Sequence, residues 1–73
     1  MNNTLEYKGY VGTIEFCEPD NIFYGKVTGI SALISYEGAS ERELVVDFHN
    51  AVEDYLDLCL QVGIEPEKPT REV

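Results

Sequence analysis

Cations are scarce in this chain: five Lys and Arg stand against fourteen Asp and Glu, a net charge of −9 at neutral pH. A field of that sign repels phosphate backbones, so direct binding of DNA or RNA is not expected. It attracts basic protein surfaces, and it also serves plain solubility. Cysteine and histidine are scarce too, with Cys17, Cys59 and His49 the whole supply. Two separated thiols and one imidazole supply neither a disulfide framework nor a zinc tetrad. The thiols read as packing residues of a protein in a reducing cytoplasm. No run of 18 apolar residues occurs, and the start "MNNTLEYKGY" has no cationic stretch followed by an apolar one. Neither a membrane span nor a secretory signal is therefore expected.

What remains is a chain of 73 residues, 44% hydrophobic, with five Tyr and three Phe. That suffices for one packed domain. A chain this short buries only about 60% of its unfolded surface, so a homodimer or higher homo-oligomer, or a partner subunit, is expected.

Residues Tyr7 to Phe16, "YKGYVGTIEF", alternate as a half-buried strand, with Tyr10, Ile14 and Phe16 opposite Val11, Thr13 and Glu15. Glu18-Pro19-Asp20-Asn21 marks a turn. Residues Ile22 to Ile30 alternate again, setting Phe23, Gly25 and Val27 opposite Tyr24, Lys26 and Thr28, so the two strands should form an antiparallel hairpin. Gly29 suggests a bend before a third strand at about Ala32 to Glu37. Gly38 then turns the chain, and Ser40-Glu41-Arg42-Glu43 matches a capping box. Leu44, Phe48, Ala51, Val52, Tyr55 and Cys59 follow at helical spacing, which predicts an amphipathic helix of about 22 residues ending near Val62. Gly63 and Pro66 stop it. The expectation is an α+β domain over residues 1–64, a three-stranded antiparallel meander with one helix on one face. Residues 65–73 form a proline-containing tail or a short fourth strand.

One helix covers one sheet face. The other should carry Val11, Thr13, Tyr24, Thr28 and Leu33 beside Glu15 and Lys26, a mixed surface open to another chain. Catalytic templates find little purchase. His49 has neither thiol at a neighbouring helical spacing. No glycine-rich loop joins a strand to a helix. A two-metal nuclease would rest on Glu15 and Glu37 alone. No enzyme activity, metal or cofactor is expected. The acids Asp47, Glu53, Asp54 and Asp57 on the helix, with Tyr24 and Lys26 on the sheet, are the candidate partner-binding residues. Tyr7, Tyr10, Tyr24 and Tyr36 are readable either as core rims or as interface anchors.

The strand pair "YKGYVGTIEF" and "NIFYGKVTGI", with "EGASEREL" at the helix start and "GIEPEKP" at its exit, resembles the N-terminal domain of HicB-type antitoxins. The resemblance spans residues of about 5 to 69. It implies a truncated ribonuclease H-like fold that has lost its catalytic carboxylates. It also implies a small basic partner, a HicA-type toxin that cleaves messenger RNA and whose active site and RNA surface the antitoxin covers. Family members commonly continue into a DNA-binding module, and no such module is expected in these 73 residues. The alternative expectation is a self-associating scaffold, including an orphan regulator without a toxin.

Overall fold

The computed structural model describes residues 4–68, which form five strand segments and one helix. These are β1 (Thr4–Tyr7), β2 (Tyr10–Thr13), β3 (Glu15–Cys17), β4 (Ile22–Thr28), β5 (Ser35–Gly38) and α1 (Glu41–Val62). All strand pairings are antiparallel. β2 and β3 follow one another along one edge of β4, β5 lies along its other edge, and β1 extends the sheet beyond β2. The architecture is α+β, with the helix on one face of the sheet.

The first predicted strand differs from expectation in two places. Lys8 and Gly9 both have left-handed backbones (φ 54° and 84°), the conformation that a two-residue hairpin turn of the right twist demands. The chain therefore folds back at Tyr7↔Tyr10, and residues before Tyr7 add the strand β1. A lysine rarely adopts positive φ. Here its ammonium is held by the Glu53 carboxylate at 2.7 Å.

The second difference is a break at Ile14 between β2 and β3. The Thr13 hydroxyl, not its carbonyl, accepts the Lys26 N–H at 3.1 Å. The freed Thr13 carbonyl accepts from the Tyr36 hydroxyl at 2.7 Å. Tyr36 reaches it by lying from β5 across Gly25 of β4 to Gly12 of β2. A Cβ on Gly12 would stand 2.0 Å from the Tyr36 hydroxyl, and one on Gly25 1.9 Å from the Thr13 carbonyl oxygen. Phe48 of the helix packs on the Tyr36 ring, centroids 4.9 Å apart. Around this pair gather Tyr10, Val27, Ile34, Leu44 and Val52, the buried core.

The third strand is shorter than expected, beginning at Ser35. Gly29 (φ 83°) turns the chain out of β4, and Ile30 and Ala32 pack against the core from the loop before pairing resumes with Val27 N–H to Ile34 carbonyl at 2.9 Å.

The helix follows its sequence signals. The Ser40 hydroxyl accepts the Glu43 N–H at 3.2 Å, and the Glu43 carboxylate reaches back to the Ala39 N–H at 3.1 Å, one residue before the cap. Gly38 lets the first turn press close, since a Cβ there would meet the Leu44 nitrogen at 2.5 Å. Gly63 is left-handed (φ 78°) and its N–H closes on the Cys59 carbonyl. Residues 64–68 form no strand. They are tied back through Glu67, whose N–H donates to the Tyr55 hydroxyl at 2.9 Å, whose carbonyl accepts from the Tyr10 hydroxyl, and whose carboxylate accepts the Ser31 N–H at 2.9 Å. These bonds from the Ser31 hydroxyl and N–H hold the Glu67 carboxyl below its ordinary value. The remainder of the tail, 69–73, lies outside the described residues.

Two expectations follow. Tyr36→Phe leaves the Thr13 carbonyl unsatisfied and should cost about 1–3 kcal/mol. Gly12→Ala should also destabilise, and because both changes act on the same hydroxyl, the double variant should lose less than the two single losses added, as urea unfolding would register. Additive losses would mean that the hydroxyl and the glycine are unrelated.

Burial pushes the Tyr36 phenol from 10.0 up to about 12. A folded value above the unfolded one means that its contribution to stability is complete below pH 10 and lost as pH climbs through about 12. Denaturant midpoints taken on either side of that window should fall for the native chain, and fall less for Tyr36→Phe.

Candidate functional site: the surface around β5

Register fixes what the helix leaves uncovered. Directly paired residues share a face, so the row Glu15–Tyr24–Glu37 crosses three strands on the side away from the helix. Beside it lie Lys26 with Ser35, and Cys17 with Ile22. The expected open face with Val11, Thr13, Tyr24 and Thr28 is thus the observed one, and Leu33, 86% exposed, stands at its rim. The tyrosines separate accordingly. Tyr10 and Tyr36 are core residues, Tyr7 is half-buried, and Tyr24 remains 42% exposed.

Two hollows flank Tyr24. One, of about 630 Å³, is lined by Cys17, Asp20, Ile22, Glu37 and Asp47 among others; the second, of about 240 Å³, by Thr13, Glu15, Lys26 and Leu33. A third, of about 360 Å³, lies round the edge of the sheet between Leu33, Ser35, Asp54, Tyr55 and Leu58. Ser35 lines all three and Leu33 two of them. The open face and one flank of the helix therefore form one surface, with β5 along its middle.

The helix acids span an arc of about 120° on the side away from the core, from Asp47 and Asp54 through Asp57 to Glu53. Successive helical residues point about 100° apart, and the neighbouring strands divide them. Asp47, half-buried, turns to β5, where its carboxylate accepts the Glu37 N–H at 2.9 Å. That N–H points outward from β5, because Ile34, two residues along from Tyr36, bonds inward to Val27. Asp47 thereby occupies a donor on the sheet's free edge. Asp54 is exposed on the same flank. Asp57 lies one turn on, holding the Gln61 amide at 2.8 Å, and lines none of the hollows. Glu53 lies at the β1 end of that arc, taking the Lys8 ammonium and the Tyr7 hydroxyl. Those two bonds, Lys8 first, hold its carboxyl below the ordinary value. His49 stacks on Tyr7 at 4.0 Å beside it. Glu53 is thus a clamp on the β1–β2 turn.

Of the six sequence candidates, the structure brings Tyr24, Lys26, Asp47 and Asp54 to the β5 surface and leaves Asp57 and Glu53 outside it. Asp20, Ser35 and Glu37 join the surface without having been picked out as partner-binding. Only the Glu37 side had a sequence signal, its alternation with Tyr36. Tyr24 stands between Glu15 and Glu37 in register, and among the described residues no group of three His, Cys, Asp or Glu is placed to hold a metal ion. Nor, among the described residues, is any helix long and apolar enough to cross a membrane. Comparison with models of known families, with characterised proteins and with solved structures finds no match to this chain.

Replacing Asp47 by Ala removes the acceptor from the Glu37 N–H. That amide should exchange with solvent faster than in the native chain while the Gly25 and Val27 amides are unchanged; equal exchange would show that the edge is not guarded by Asp47.

Proposed function

We propose that this domain acts by binding, as an antitoxin-like module that neutralises a small basic HicA-type ribonuclease by covering its active site and its RNA-binding surface. The observation that carries the reading is the β5 surface: an exposed aromatic residue and an exposed leucine set among Glu15, Asp20, Glu37, Asp47 and Asp54, with Lys26, among the described residues, the one cation lining the same hollows. An aromatic anchor within a charged rim is the usual anatomy of a protein interface. Surface acids of this density compete for the cationic side chains with which a ribonuclease holds phosphates. The sequence resemblance to HicB-type N-terminal domains, with its truncated ribonuclease H-like fold, points the same way. A reducing cytoplasm is the compartment in which such a partner would be met.

Co-expression with the small basic protein encoded beside its gene tests the reading. Growth should be rescued and the two chains should co-purify. Asp54→Lys should weaken the complex about tenfold or more, since like charges across an interface are strongly unfavourable. Glu53→Lys, on the opposite flank, should leave the complex intact. A toxic neighbour that is neither bound nor neutralised would overturn the proposal.

A further inference from the structure

We infer that the row Glu15–Tyr24–Glu37 is a receptor for an arginine side chain of the partner, an inference that rests on the binding role proposed above and specifies its chemistry. The row is a property of register. Tyr24 pairs with Glu15 on one side and with Glu37 on the other, so one aromatic ring stands between two carboxylates whose Cβ atoms are each about 5 Å from its own.

No ion pair among the described residues neutralises Glu15 or Glu37; the pair formed there is Lys8 with Glu53, across the molecule. Lys26, two residues along β4, repels a cation approaching from its side. The opposite side opens into the larger hollow, where Asp20 and Asp47 add negative charge. A cation is thus admitted from the Cys17–Ile22 side and drawn toward the ring. A second copy of this chain, at −9, is a poor occupant for such a niche.

Between the two biological cations the geometry favours guanidinium. Its plane can stack on the Tyr24 ring while its five N–H donors, spread in a fixed fork, reach outward to carboxylates on either side. A lysine ammonium is a compact, strongly hydrated charge that meets the ring or a carboxylate, not all three at once.

The test uses the full chain and two probes, the capped peptides Arg-Gly-Arg and Lys-Gly-Lys, followed by nuclear magnetic resonance. The arginine peptide should move the Tyr24 ring signals and the Ser35 and Glu37 amides, bind about fivefold or more tightly than the lysine peptide, and weaken as salt is raised. Tyr24→Leu should abolish the preference for arginine, and Glu15→Gln and Glu37→Gln should each reduce it, with the spectrum otherwise that of the folded domain. Equal affinity for the two peptides, shifts centred on Glu53 and His49, or an arginine preference that survives Tyr24→Leu would overturn the inference. Its fate is separable from that of the antitoxin reading. A Tyr24→Leu chain that still binds and neutralises the toxin with undiminished affinity sinks the arginine niche alone. An arginine preference at Tyr24 in a chain that neutralises no toxin sinks the antitoxin reading alone.

Discussion

The architecture depends on one tyrosine laid across two glycines. Tyr36 leaves β5, passes over Gly25 and ends against Gly12, so that its ring lies flat enough on the sheet for Phe48 to pack above it. Its hydroxyl also replaces a rung of the β2–β4 ladder by satisfying the Thr13 carbonyl. A buried carbonyl without a partner costs about 1–3 kcal/mol, and in a domain this small that is a substantial part of the total stability. The same contact therefore breaks the strand at Ile14, joins three strands and seats the helix. With Tyr10, Val27 and Tyr36 of the inner face committed to that packing, Tyr24 and its neighbours are left on the outer one.

The charge pattern follows from the same division. On the β1 side of the helix, negative charge is consumed internally: Glu53 holds Lys8 and Tyr7 and so stabilises a turn with an unfavourable lysine backbone. On the β5 side it is not consumed. Asp47 gives one oxygen to the edge of the sheet, while Glu15, Glu37 and Asp54 face solvent beside Tyr24 and Leu33. The molecule thus has a structural acidic flank and an available one, and the proposed interface uses the second.

Local chemistry made the helix legible. Ser40, Glu43 and Gly63 act within a few residues of themselves, and each does in the structure what its type implies. The alternation of β4 likewise gave the two sheet faces correctly, because a one-residue slip would have buried Lys26 in place of Val27. The hairpin at Lys8-Gly9 was not legible: lysine is an unusual residue at a left-handed position, and its compensation comes from Glu53, 45 residues on in the sequence. The break at Ile14 was hidden for a similar reason, since it is dictated by a hydroxyl from β5. That Glu53, grouped with Asp47, Asp54 and Asp57 as a candidate docking residue, is engaged by Lys8 and Tyr7 was hidden for the same reason. The helical periodicity separates Glu53 from Asp54, but only the positions of β1 and β5 reveal that one is spent and the other free.

The claim that the β5 side is the interface is tested most directly by a hydrogen-exchange footprint of this chain in complex with its basic partner. Exchange should slow in β4, in β5 and on the helix from Asp54 to Leu58, with β1 and the Lys8-Gly9 turn unchanged. Protection concentrated on β1 and the Glu53 flank, with β5 exchanging as in the free chain, would contradict it.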